Sequence, residues 1–264
     1  MRRTHGTLVT MSRGAGAAGS SEAEYDRIGT GYAALRRPDP RLAAIIGAAL
    51  GNADTVVNVG AGAGSYEPVD AYVVAVEPSE VMLGQHPGRN RVRASAEALP
   101  FPDGRFDVAM AVMTMHHWSD QPAGHSEMRR VADRQVIFTW DPDWEQVLWV
   151  IEEYVPEIRT LERARFLPLE DVVNAVDAHT IVPFPIPWDF TDGYQPAFWR
   201  RPEEYLDPVV RAASSTFATL PDDVVEPAMN QLREDLASGL WYERHEHLLA
   251  EETMDFGYRL LIAG

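Results

Sequence analysis

The chain has 264 residues, 45% of them hydrophobic, and a formal charge of −17. That length supports one large domain with its own core, and the charge repels phosphate backbones and anionic headgroups, so nucleic acid and membrane surfaces are not expected as partners. Cysteine and lysine are both absent, which excludes disulfides, thiolate metal sites, cysteine nucleophiles and Schiff-base chemistry.

Residues 1–21 are rich in Gly, Ala and Ser without periodicity, a composition expected of a disordered leader. They lack the apolar centre of a signal peptide, and no apolar run reaches the roughly 18 residues of a membrane span; a cytoplasmic protein is expected. A turn or short helix is expected over Tyr25–Leu35. An apolar helix then runs from Arg41 to Leu50 and closes at Gly51.

From there strands and helices alternate. Strands are expected at Thr55–Val59, Tyr72–Val76, Asp107–Val112 and Gln135–Thr139, with helices from Ser79 and over Gln121–Val131. This rhythm predicts an α/β fold, a parallel sheet with helices on both faces. Beyond Trp140 the pattern changes. Trp144–Arg165, Pro202–Ser215 and Asp222–Leu240 read as helices, Ile181–Pro187 as a strand interrupted by proline, and Asp255–Ile262 as the last strand. The expected organisation is a leader over 1–21, a ligand-binding core over 22–142, and, over 143–264, inserted helices forming a lid together with the last two strands of the sheet.

The sharpest motif is VVNVGAGAG, residues 56–64, a buried strand running into three alternate glycines. Missing Cβ atoms allow a tight turn and close approach of a ligand to the backbone. Glu77 follows Gly60 by seventeen residues, at the end of the second strand, where a carboxylate can accept ribose hydroxyls. The turn is G-x-G-x-G rather than the nicotinamide pattern G-x-G-x-x-G. An acid at Glu67 opposes a pyrophosphate there and suits a cationic or zwitterionic ligand.

Four blocks, YDRIGTGYAALRRPDPR, VVNVGAGAGSYEP, VVAVEPSEVM and ASAEALPFPDGRFDVAMAVMTMHHW, together resemble the class I S-adenosylmethionine-dependent methyltransferases, of the ubiquinone/menaquinone-biosynthesis type (methyltransferase type 11) and its small-molecule relatives. The resemblance covers about Tyr25–Asp141. It implies a Rossmann-like, seven-stranded, mostly parallel sheet and S-adenosylmethionine as cofactor, with S-adenosylhomocysteine as product. Gly60, Ala61 and Gly62 would line the methionine portion and Glu77 the ribose. Pro78, Ser79 and Met82 would flank the adenine, with Ser95, Ala96 and Glu97 at its edge and Met113 beside the sulfonium. Tyr25, Tyr32 and Arg36 would close over the cofactor, Arg36 as partner of its carboxylate. The chain departs from the family at Asn58, where the first strand commonly carries an acid, and at Ala132–Gln135, where a Pro-Gly-Gly turn is usual.

Methyl transfer from a sulfonium needs in-line approach and, for a hydroxyl acceptor, a base. His116 and His117 follow the fourth strand and Asp141 ends the fifth, an arrangement similar to that of sugar O-methyltransferases, which would make the histidines catalytic with Asp141 orienting them. The same pair can equally serve as a structural turn. No metal site is expected. The aromatic residues of the second half, among them Trp140, Trp144, Trp149 and Trp199, suit either an acceptor pocket or a core. The expected function is O- or N-methylation of a small molecule, a secondary metabolite, by a monomer or homodimer. The alternatives are a cofactor-binding protein without methyl transfer, as a cyclase or partner subunit, and a nicotinamide oxidoreductase.

Overall fold

A computed structural model describes residues 36–264. The expected leader over 1–21, the turn or short helix expected over Tyr25–Leu35 and the roles expected of Tyr25 and Tyr32 lie outside the described residues. Strands β1 (Thr55–Val59), β2 (Tyr72–Val76), β3 (Arg91–Val92), β4 (Phe106–Val112), β5 (Ala132–Trp140), β6 (Ala178–Pro183) and β9 (Tyr258–Ala263) form one seven-stranded sheet in the order β3-β2-β1-β4-β5-β9-β6. Pairing is parallel from β3 through β5, and β9 runs antiparallel to both of its neighbours. A two-stranded ribbon, β7 (Ile186–Pro187) and β8 (Thr253–Met254), stands apart.

Alternation along the strands divides the core into two layers, because successive side chains leave opposite faces of a sheet. Val56, Val108, Met110, Val136, Phe138 and Leu260 pack on one face with Leu42 and Ile46 of helix α1 (Pro40–Leu50). Val57, Val59, Ala109, Ala111, Ile137 and Leu261 pack on the other. That second face is covered by Met128 and Val131 of α3 (Gln121–Val131) and by Val172 and Val176 of α5 (Leu169–Val176). Burial on both faces is why these strands read as continuous apolar runs. The short α2 (Glu80–Gln85) follows β2 and is capped by the Ser79 hydroxyl, which accepts from Met82 N–H at 3.3 Å.

As expected, residues 60–71 lead from the glycine turn to β2 through turns alone, about the minimum length for a crossover between parallel strands. The helix expected over Trp144–Arg165 is broken into a π-turn at Val150–Tyr154 and α4 (Glu157–Arg165), separated at Pro156, whose ring denies the helix a backbone donor. The remaining helices, α6 (Pro208–Ala212), α7 (Ser215–Thr219), α8 (Asp222–Ser238) and α9 (Leu240–His245), contribute Val210, Phe217, Leu232 and Trp241 to the same core layer as α1. Trp149 and Trp199 anchor that layer. Trp149 lies edge-on to Trp241 at 5.1 Å and donates to the Trp199 carbonyl at 2.8 Å. Among the described residues no helix is long and apolar enough to cross a membrane.

The glycine turn is tied to the second half of the chain by two fully buried carboxylates. Asp39 caps α1, accepting from Arg41 N–H at 2.9 Å, and also accepts from Thr191 N–H at 3.1 Å. Its own N–H donates to the Tyr66 hydroxyl at 3.1 Å, and that hydroxyl donates to Asp192 at 2.8 Å. Arg36 completes the set with its Nε 2.5 Å from Asp192. Tyr66 holds a φ of 65°, left-handed for a bulky residue. Replacing Tyr66 with Phe should destabilise the protein by about 2 kcal/mol through the hydroxyl lost from a buried carboxylate, and Asp192→Ala by about 3 kcal/mol or more, since Arg36 and Tyr66 would both lose their partner. Chemical denaturation of the two variants would measure both effects, and equal stability to the parent would remove this network from the account of the fold.

Candidate active site

β1 and β4 are neighbours whose following connections leave toward opposite edges of the sheet, and the crevice beyond their C-terminal ends is where open α/β sheets bind ligands. The glycine turn forms one lip. Gly60 N–H and Ala61 N–H both donate to the Val76 carbonyl, at 2.8 and 2.9 Å, folding the turn against the end of β2. Gly60 has φ 72°, and a Cβ on it would stand 1.9 Å from the Thr114 hydroxyl, so the residue is fixed as glycine by the protein itself. Gly62 N–H donates to one Glu77 oxygen at 2.9 Å and Ser79 N–H to the other at 3.0 Å.

Glu77 is 7% exposed, and each of its oxygens keeps acceptor capacity beyond these backbone bonds. Met82 packs its methyl over Gly62, at 3.4 Å from where a Cβ would project, and Ala96 is buried beside the second core layer. This cradle of a bare backbone, an acceptor carboxylate and an apolar wall fits S-adenosylmethionine as the resemblance places it on Gly60, Ala61, Gly62, Glu77, Pro78, Met82 and Ala96. The Ser79 hydroxyl is engaged in capping α2.

Ser95, Glu97 and Arg36, expected at the cofactor, also hold partners within the chain. Glu97 accepts from Ser119 N–H at 2.7 Å, the Ser119 hydroxyl at 2.9 Å and Asp120 N–H at 3.1 Å. Burial pushes its carboxyl up, but these bonds and one from the Ser95 hydroxyl outweigh that and hold it low. Glu97 and the exposed Ser95 thus secure the start of α3. Arg36 is committed to Asp192 and lies over the Tyr194 ring at 4.3 Å, where it walls the adjoining cavity. Asn58 donates to Glu67 at 2.9 Å, so the acid missing from β1 is supplied by the turn. His86 accepts from Gly88 N–H at Nδ1, which leaves its Nε2 proton to meet the same Glu67 oxygen at 3.0 Å.

The other lip follows β4. Met113 has φ 49°, strained for a residue with a side chain, and its N–H is held by the Phe138 carbonyl at 2.8 Å. Beyond Met113 opens a cavity of about 90 Å³, room for several waters or a small ligand. Its walls include Met113, His116, Trp140, Trp144, Phe166, Tyr194 and Tyr258, together with Glu162 and Thr216 from the inserted helices. The aromatic residues therefore divide: Trp149 and Trp199 are core, while Trp140 and Trp144 face the cavity.

His116 and His117 form a 3-10 turn with Met115, their rings 3.8 Å apart. Only His116 of the two lines the cavity, stacked on Phe166 at 4.2 Å, with Nδ1 buried and lacking a hydrogen-bond partner among the described residues. Loss of hydration, the neighbouring ring and the guanidinium groups of Arg165 and Arg36 push His116 well below the ordinary histidine range. Loss of hydration and the same arginines push His117 down to about 3. Asp141 does not orient them. It accepts from Asp143 N–H at 3.1 Å and hydrogen-bonds neither histidine.

Glu162 was not legible from the sequence. In TLERARF it reads as part of a solvated charged face, yet it is 9% exposed and its one described hydrogen bond is from the Thr216 hydroxyl at 3.5 Å. Burial drives its carboxyl up to about 8, against smaller lowering effects of Thr216 and Arg165. Among the described residues no group of three His, Asp or Glu could hold a metal.

Comparison with known proteins adds the family. Residues 57–139 match the methyltransferase domain model. A solved structure from Anabaena variabilis ATCC 29413, described as a methyltransferase from an antibiotic biosynthesis pathway, is 32% identical with a TM-score of 0.81, covering 87% of this chain and 99% of that one. An uncharacterised methyltransferase of Bacillus subtilis (strain 168), YcgJ, is 29% identical over 120 residues, 40% of this chain and 44% of its own length, so the matched segment spans under half of that relative.

Removing the acceptor beneath the glycine turn should act on cofactor affinity before anything else. Glu77→Ala is expected to weaken S-adenosylhomocysteine binding by about 1–3 kcal/mol, measured by calorimetric titration; unchanged affinity would sink the ribose assignment.

Proposed function

Because this chain belongs to the class I S-adenosylmethionine-dependent methyltransferases and takes S-adenosylmethionine as its cofactor, we propose that it methylates a nitrogen or oxygen of a small molecule held in the aromatic cavity beyond Met113. The observation that carries this reading is the position of that cavity: it opens at the end of β4, next to the cofactor turn, and is walled by Met113 and His116. The inserted helices act as its lid. Their contribution of Glu162, Phe166 and Thr216 to the wall encloses the acceptor and keeps bulk water from the reacting groups. The relative described as part of an antibiotic pathway supports a secondary metabolite as acceptor.

The cofactor supplies an already activated methyl group on a sulfonium, so the protein's task is alignment more than activation. Met113, held out of the strand by its left-handed backbone, sets the boundary between cofactor and acceptor. His116 remains an uncharged imidazole at neutral pH, since its surroundings disfavour the protonated ring. It serves as a hydrogen-bond partner that orients the acceptor, and a ring so hard to protonate is a weak general base.

Calorimetric titration with S-adenosylhomocysteine, NAD(H) and NADP(H) tests the first part: saturable micromolar binding of the first alone is expected, and binding of a nicotinamide instead would overturn the reading. His116→Ala should lower kcat about 10-fold or more while S-adenosylhomocysteine affinity changes less than about 2-fold. The kcat/KM profile should show no inflection near pH 6.5, because both histidines are already neutral well below that value. An inflection there, lost in His116→Ala, would return the ring to a proton-transferring role.

A further inference from the structure

The cavity holds a carboxyl group that the fold does not use. Glu162 lies on the last turn and a half of α4, with its side chain in the wall and one long contact, 3.5 Å, from the Thr216 hydroxyl. Two other buried carboxylates are well supplied with donors: Asp39 accepts from Arg41 and Thr191, and Asp192 from Arg36 and Tyr66. Glu162 makes no ion pair among the described residues. A carboxyl kept from ionising by burial costs stability in the empty protein, and it is retained against that cost where a ligand completes it.

We propose that Glu162 is the specificity residue of the acceptor site, and that the acceptor is a small aromatic or apolar molecule bearing a basic nitrogen whose protonated form seats against this carboxylate. This rests on the cavity being the acceptor site. A hydroxyl would give Glu162 one neutral hydrogen bond and leave the carboxyl protonated, whereas an ammonium group supplies the opposite charge and several donors that the ionised carboxylate can accept from. The ring faces of the aromatic wall, Trp140, Phe166 and Tyr258 among them, add attraction for a cation and none beyond apolar contact for an alcohol.

The other charged and titratable groups around it leave this role to Glu162. Arg36 is neutralised by Asp192; His116 is uncharged; Tyr194 and Tyr258 are held protonated by burial. Arg159, on the same helix and in the same wall, and Arg165 would favour an anion, so a carboxylate acceptor is the competing outcome. With the empty carboxyl titrating at about 8, binding of an ammonium below that pH releases the Glu162 proton to solvent. Affinity should therefore rise with pH up to about 8 and level off until the amine, near 10, loses its own charge.

The test measures binding of three amines, benzylamine, phenethylamine and tryptamine, each beside its alcohol and carboxylate counterpart, to the protein saturated with S-adenosylhomocysteine. At least one amine should bind about 10-fold or more tighter than both counterparts. Its affinity should rise roughly 10- to 30-fold from pH 6.5 to 8.5, and E162Q should abolish both effects while retaining S-adenosylhomocysteine. E162Q should also raise the Tm of the ligand-free protein, by about 5 °C at pH 8 and less at pH 5, because the unfolded carboxyl ionises from about 4.5 upward and the buried one does not. Equal binding of amines and alcohols, preference for the carboxylates, no binding of any amine, or an E162Q that keeps the preference or is less stable than the parent would each overturn the proposal. Failure of the protein to bind S-adenosylhomocysteine at all would instead strike at the proposed function itself.

Discussion

Burying a carboxylate without solvent is tolerable only when donors surround it on every side, and this protein does so twice, at Asp39 and Asp192. Because the donors must stay in place, the carboxylates fix more than themselves. Asp39 determines where α1 begins and where the loop at Thr191 lies. Asp192 holds Arg36 and, through Tyr66, the far end of the glycine turn. The hydroxyl of Tyr66 sits between the two acids and hydrogen-bonds to both residues. A turn that must present bare backbone to a cofactor is thereby braced by a side chain from 126 residues further along the chain, on the same loop that carries Tyr194 into the aromatic cavity.

This bracing takes the place of a helix. In nucleotide-binding sheets a helix after the first strand usually stiffens the glycine turn and offers its N-terminal dipole to phosphate. Here the link from β1 to β2 holds none, and the turn is secured by Val76, Glu77, Asn58 and Tyr66 instead. Glu67, which lies outside the strand, comes back to Asn58 and places an acid beside the strand end where an acid was missing. The two sites, cofactor crevice and aromatic cavity, meet at Met113, whose strained backbone is held by a bond to β5.

Much of the first half was legible because its signals are local. β1 and β2 fall on their expected residues, as does α3, since Val-rich runs buried on both faces and an Asp-capped, Pro-initiated helix declare themselves within a few positions. The glycine turn after β1 and the acid at the end of β2 are likewise visible in the sequence, and the structure joins them through the bond from Gly62 N–H to Glu77. What escaped depends on contacts distant in sequence. Glu97 reads as a residue at the adenine edge, and its hold on Ser119 and Asp120 at the start of α3 has no signal in the sequence. Glu162 sits among arginines in a segment that resembles any solvated helix, and only the inserted helices closing over it reveal a buried carboxyl. The aromatic residues could not be sorted between wall and core without knowing that Trp149 donates to the Trp199 carbonyl and Trp199 to the Ile186 carbonyl, whereas Trp140 ends β5 in the cavity wall.

The acids around the glycine turn also bear on how the protein lets go. The cofactor arrives with a positive sulfonium and departs as an uncharged thioether, so Glu67 and Glu77, set in a chain of net charge −17, attract the reagent more strongly than what remains after the methyl has left. The same field lowers the barrier to product departure relative to reagent departure, and salt, which screens it, should narrow the gap between the two affinities. An anionic crevice of this kind makes each turnover partly self-clearing: the chemistry removes the charge by which the reagent was held.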